Sequence, residues 1–421
     1  MMRAKNHNLI FFSTILYYAG SYIAGTIYAG QLILVLAVGL MAIAVFSNTG
    51  GKIPIRNSGF IKYILVFLLF CIASRLWAED PSLSGNKING LIFILIGMII
   101  INLCYLGYTC VEDLLKAIMY GGYIVVLFAF FRYGLGGIIR LAANDVRMTN
   151  DLLNANALGM CAAYALVLNF FFIFYEHIRF RDLLMLPAIV LLIVSQSRKA
   201  IVIVALGVIA IYILRNFNKS NFGLTVLKLL GGLILLAAVF VVISRFSFMQ
   251  PIVKRLNEIL EMFAGRGTRS NNSAWIRFAY IDLGIELFKR NPLLGIGIGN
   301  ANIYTQMYYH HNHYLHNNYV ELLACGGIIG FLIYYSMHLY LLFNFIKYRN
   351  YHDKEYDICL VLLMLNLIID YGIVTYYDKA NYLFLFVIWL KIKAMREQYG
   401  KKKISIQYSR ANKIKKREVL S

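Results

Sequence analysis

The sequence predicts an all-α polytopic membrane protein with a helical external loop domain, and three observations carry that prediction. Of 421 residues, 60% are hydrophobic and only 14% charged, against roughly 45–50% apolar and about 25% charged in soluble domains. The apolar residues gather into runs close to the ~20 that a helix needs to cross a bilayer, and about twelve such runs can be traced. The stretch from Arg245 to Asn317 breaks the pattern, because arginines, glycines and histidines replace the continuous apolar run there.

In chain order the runs are 9–28, 31–46, 59–77, 88–106, 114–131, 152–174, 183–196, 200–214 and 224–244, then 318–346, 358–376 and 380–393. They divide the chain into N-terminal transmembrane helices over 1–244, an external loop over 245–317, C-terminal transmembrane helices over 318–393 and a basic tail over 394–421. Several runs are short or interrupted. Met1 to Asn8 precede the first run as they would in a signal peptide, but no small-residue cleavage site follows clearly, so the first helix is expected to be retained. No period of roughly 20–50 residues repeats, which leaves out a solenoid or an inverted duplication.

The net charge of +21 sits in short loops and the tail instead of on one soluble face, which excludes a nucleic-acid partner. With both termini in the cytoplasm, Lys52, Arg56, Arg179, Arg181, Arg215, Lys219, Lys347, Arg349, Lys354 and the tail lie inside, as topology requires of basic residues. The same count puts Arg132 to Asp151, the turn Ser195 to Lys199 and the segment 245–317 outside. These loops are also basic, which targeting does not demand. The six cysteines are scattered through apolar runs without a C-x-x-C pair, so they read as small packing residues.

Inside the external segment, Ser273 reads as an N-cap, and Trp275, Phe278, Asp282, Leu283, Glu286, Leu287 and Arg290 follow at helical spacing until Pro292 stops the run. Such a helix either lies on the membrane surface or packs within a small external domain. Arg198 stands between two apolar runs, where a guanidinium is costly unless it is paired or faces water. It is therefore a site candidate, with snorkelling to the headgroups as the alternative; Lys199 beside it reads as the snorkelling residue. Arg277 offers a second guanidinium on a helix, and the planar fork of arginine suits diphosphate oxygens. External arginines also bind anionic lipid headgroups.

The cluster His310, His311, His313, His316 leads into a spanning helix. An imidazole near neutrality can take a proton from a sugar hydroxyl, and His316, at the mouth of the helix, is the best-placed general base. The other three read as interfacial polar residues. A zinc site is the weaker reading, since the spacing is not that of H-E-x-x-H and no cysteine or carboxylate pair completes a ligand set. Gly295, Gly297 and Gly299 follow a helix and Pro292, with no preceding strand, so the dinucleotide reading fails. They are expected to turn the backbone tightly beside a ligand or the bilayer. The sequence has no P-loop and no G-x-S-x-G elbow.

The phrases RFAYIDLGIELFKRNPLLGIGIGN and HNNYVELLACGGIIG, with SQSRKA and LLNANALG before them, resemble in order and spacing the signature of the O-antigen ligase and polymerase family, the Wzy-C type domain. The resemblance spans about the second half of the chain. It places the helix-opening arginine on Arg277, the Ser-Arg arginine on Arg198, the catalytic histidine on His316 and the motif asparagine on Asn156. Where the family often has tryptophan four residues after the arginine, Ile281 stands here, so Arg269 and Arg266 remain alternatives to Arg277.

The resemblance implies a GT-C-like glycosyltransferase in the bacterial cytoplasmic membrane, needing neither metal nor other cofactor and acting at the outer face on a polyprenyl-diphosphate-linked oligosaccharide. Arg198 and Arg277 would hold the diphosphate and His316 would deprotonate the acceptor, with Arg266, Arg269, Asn156, Asn317 and His313 touching substrate. Membrane lipids, a chain-length regulator and a flippase of the same pathway are the implied partners. A repeat-unit polymerase for a surface polysaccharide (O-antigen, capsule or exopolysaccharide) leads, with a ligase to lipid A core as the alternative. A non-catalytic exporter of the same glycan would need basic residues along a path through the membrane, whereas these gather at one end.

Overall fold

A computed structural model describes residues 6–23, 28–50, 58–105, 111–143, 154–216 and 273–418, with a few isolated positions between 217 and 272. Among the described residues the fold is helical throughout, without a strand. The first eight helices are α1 (His7–Ile23), α2 (Tyr28–Asn48), α3 (Gly59–Ala73), α4 (Gly85–Tyr105), α5 (Val111–Ala143), α6 (Ala155–Tyr175), α7 (Met185–Val194) and α8 (Arg198–Asn216). After the segment around 217–272 come α9 (Ser273–Arg290), α10 (Ala301–Tyr309), α11 (Asn318–Lys347), α12 (Lys354–Asp370) and α13 (Lys379–Glu418).

Seven helical stretches among the described residues are long and apolar enough to cross a membrane: 30–48, 59–76, 81–105, 111–138, 155–175, 198–216 and 318–347. Of the other expected spans, the first and eleventh appear as 17-residue helices, α1 and α12. The seventh appears as the 10-residue α7, and run 224–244 lies almost wholly outside the described residues. Outward-facing Leu32, Leu36, Phe46, Leu69, Phe93 and Phe343 mark the surface meant for lipid.

Two helices form the centre. On α6 nearly every position from Leu158 to Phe172 is buried, and on α13 Tyr382 to Leu390 are buried on all sides, as expected of helices enclosed by others. Small residues let the backbones approach. At Gly159 a Cβ would stand 2.8 Å from Ser197 Cβ, so this glycine lets the 195–197 turn lie directly on α6.

The chain alternates direction, which sorts its loops to two ends. One end holds an ion-pair cluster: Lys354 reaches Glu112 at 2.9 Å and Glu176 at 3.5 Å, Arg179 reaches Glu176 at 2.8 Å, and Lys391 bridges Asp353 at 2.6 Å and Glu355 at 3.1 Å. The other end gathers residues 77–80, 154–157, 195–199, 311–317 and 371–379.

Candidate active site

The site is built on a clasp between the loop 291–300 and a break in α11. Gly327 interrupts α11 at φ 60°, ψ −168°, a conformation open essentially to glycine alone. The freed backbone groups pair with the loop: Ile296 N–H donates to Ala324 O at 3.0 Å, Gly297 N–H to Cys325 O at 3.0 Å, and Ile328 N–H to Pro292 O at 2.9 Å. The two backbones nearly touch, since a Cβ at Gly295 would lie 2.6 Å from the Cys325 carbonyl oxygen. These glycines thus turn beside another stretch of protein backbone, rather than beside a ligand or the bilayer. The loop also docks on 77–80: Asn300 accepts from Asp80 N–H at 2.8 Å, and Trp77 Nε1–H donates to Leu294 O at 3.2 Å.

From this base the segment 310–317 is fixed on three sides. Thr305 Oγ1 donates to His313 O at 2.7 Å. Glu321 Oε2 accepts from Leu315 N–H at 2.8 Å. Helix α9 closes in at Gly284, where a Cβ would lie 2.7 Å from Leu315 Cδ1. Held so, His316 takes a left-handed backbone, φ 56°. Its ring lies parallel to that of Tyr280 with centroids 6.0 Å apart and meets that of Tyr314 at 4.3 Å. The predicted helix is therefore α9; it starts at Ser273 itself, buries Tyr280, Leu283 and Leu287, and exposes Trp275 and Phe278.

His316 opens on a cavity of about 420 Å³ at the site end of the bundle. Asn156 of α6, Lys199 of α8, Tyr314 and His316, and Tyr377, Asp378 and Lys379 at the start of α13 line it. Burial, with Arg277, Lys199 and His313 nearby, pulls the His316 imidazole from 6.5 down to about 3, since both desolvation and neighbouring cations disfavour the charged ring. Burial also lowers Arg277 and raises Tyr314. At neutral pH the site presents an uncharged imidazole, with Lys199, Lys379 and the carboxyl of Asp378 on the same cavity.

The predicted residues distribute unevenly around this cavity. His316 and Asn156 line it. Arg277, half-buried on α9, acts on His316 through its charge. Arg198, half-buried at the start of α8, does not line the cavity, whereas its neighbour Lys199 does and donates from Nζ to Gly372 O. Asn317 is buried and caps α11, its side chain accepting from Val320 N–H at 3.1 Å. His313 is exposed, its ring 6.0 Å from that of His316. Arg266 and Arg269 lie outside the described residues. Lys199, read from the sequence as the snorkelling residue, lines the cavity instead, and sequence reasoning passed over Lys87, whose ammonium pairs with Glu321 at 2.7 Å inside the bundle. The available signal was a lysine at the edge of one apolar run and a lone glutamate inside another, each needing a partner.

Residues 183–335 match the family model Wzy_C, described as O-antigen ligase. A comparison with curated proteins gives no match.

Proposed function

We propose that this chain, a multi-pass membrane protein carrying an O-antigen ligase family domain, is a GT-C-like glycosyltransferase of about twelve spans that polymerises polyprenyl-diphosphate-linked oligosaccharide into a surface polysaccharide. The observation that carries the reading is a neutral imidazole, His316, opening on a cavity that also receives Lys199 and Asn156 and feels the charge of Arg277. The basic residues Arg179, Arg181, Lys354 and Lys391 cluster at the opposite end, which supports an inside position for that end and an outside position for the cavity.

In this reading the acceptor hydroxyl oxygen attacks the anomeric carbon while the bond from that carbon to the diphosphate oxygen breaks. His316 takes the hydroxyl proton. Arg277, with Lys199, holds the diphosphate and stabilises the charge that grows on it as it leaves, while Arg198, beside Lys199 but off the cavity lining, would reach it only from the start of α8. A bound diphosphate also offsets the cations around His316, raising the basicity of the ring when the donor is in place. Arg266, Arg269, Asn156 and His313 complete contacts to donor and acceptor, while Asn317 serves through the helix start it caps.

A second reading is favoured by the description of the matched family: a ligase moves finished glycan to another acceptor, such as lipid A core, by the same donor chemistry. Incubating the purified protein with a defined lipid-linked repeat unit, with and without a lipid A core acceptor, and sizing the products separates the two. A ladder without added acceptor means polymerase. A single transfer that requires the acceptor means ligase, and movement of intact lipid-linked glycan across a vesicle without bond formation would replace both with an exporter.

A further inference from the structure

We infer that the buried pair Lys87–Glu321 positions the general base and the cavity wall at Tyr377, an inference that rests on the reading of His316 as that base. Glu321 is fully buried and uses both carboxylate oxygens. Oε1 meets Lys87 Nζ at 2.7 Å, and Oε2 accepts from Leu315 N–H at 2.8 Å, one residue before His316. Lys87, also buried, faces the rings of Tyr376 at 5.6 Å and Tyr377 at 5.7 Å. Tyr377 lines the same cavity as His316. One ion pair, joining α4 to α11, thus fixes two walls of the cavity while touching neither the cavity nor its occupant.

The arrangement is specific in its direction. The buried amide of Leu315 needs an acceptor at that point, because residues 311–317 are not helical and no carbonyl four residues earlier supplies one. A carboxylate buried there needs a cation. Lys87 meets that need and, through its charge, attracts the faces of two tyrosines. Removing one member leaves the other charged and unpartnered inside the bundle, whereas removing both leaves only the Leu315 amide without its acceptor.

The test uses the full chain in nanodiscs. Glu321→Gln keeps an amide oxygen for Leu315 but strands Lys87; Lys87→Met/Glu321→Gln removes both charges and keeps that oxygen; Lys87→Met/Glu321→Leu removes the oxygen as well. Two readouts are taken on monodisperse protein: turnover of lipid-linked repeat unit, split into kcat and KM, and the rate of diethyl pyrocarbonate labelling of His316 relative to exposed His352, read by peptide mass spectrometry. Losing the acceptor in Lys87→Met/Glu321→Leu should lower kcat by at least about tenfold with KM within about threefold, and speed His316 labelling by at least about threefold. Lys87→Met/Glu321→Gln should return both toward wild type.

Unchanged labelling and kcat in the Leu-containing double variant, or equal loss in both double variants, would overturn the positioning role. If labelling responds as expected while His316→Ala retains full turnover, the positioning stands and the assignment of His316 as base falls. Should the Leu-containing variant fail to fold, Glu321→Gln against Lys87→Met/Glu321→Gln is compared at equal thermal stability: positioning predicts lower kcat and faster His316 labelling in the single variant and the return of both in the double, and unchanged His316 labelling in the single variant overturns it.

Discussion

Replacing Gly327 by alanine tests the clasp that carries the site. The residue sits at φ 60°, ψ −168°, where a side chain costs ~1–3 kcal/mol in backbone strain. Its Cβ would also lie 2.6 Å from Leu294 N, an approach to backbone that cannot be relieved by rotating a side chain, adding ~1–3 kcal/mol of overpacking. The sum, ~2–6 kcal/mol, is a large share of the ~5–15 kcal/mol by which a folded chain is stable. Denaturant unfolding in mixed micelles reads it directly. Gly39→Ala is the control, because nothing lies within 4 Å of a Cβ there and the backbone is helical; it should be neutral or stabilising by up to ~1 kcal/mol. Because the loop held by Gly327 leads into α10 and the 310–317 segment, turnover should fall with stability. A Gly327→Ala protein within ~0.5 kcal/mol of wild type would refute the account of the clasp.

Four further outcomes follow from the site. His316 is held down to about 3, so kcat/KM should show no acid limb near the ordinary histidine value of about 6.5; an inflection there would exclude His316 as the free-enzyme base. The same shift sets the sign of its effect on stability. A histidine harder to protonate when folded leaves stability intact above the unfolded value of about 6.5 and erodes it as pH falls toward about 3, which pH-dependent unfolding of wild type against His316→Gln would read. Lys199→Met should raise KM for the lipid-linked donor about tenfold, with Lys199→Arg recovering part of it; an unchanged KM would confine Lys199 to its bond with Gly372. Asn317→Ala should cost ~1 kcal/mol of stability through loss of the α11 cap and leave KM within about threefold; a larger rise in KM at unchanged stability would assign it to substrate.

Much of the architecture was legible because lipid imposes one simple demand, an apolar run of sufficient length. The stretch α9, the stop at Pro292 and the turn of His316 into α11 followed from the same kind of local signal. The glycines were misread in purpose, since nothing local distinguishes a turn beside a ligand from one beside another backbone; the partner of Gly295 is Cys325, thirty residues on. Lys199 and Arg198 are adjacent in sequence, and only the direction in which α8 leaves the 195–197 turn decides which of them lines the cavity. Lys87, just before the apolar run 88–106, and Glu321, inside the run 318–346, are separated by 234 residues, and their pairing depends on α4 lying beside the start of α11.

The measurement that tests the central claim most directly is chain growth by His316→Ala. Purified protein in nanodiscs, supplied with a defined lipid-linked repeat unit, is assayed by sizing the glycan while circular dichroism and thermal unfolding confirm the fold. The account predicts a folded protein that leaves the lipid-linked unit unconsumed, with turnover lower by at least about a hundredfold. Long polymer from that variant at the wild-type rate would contradict it.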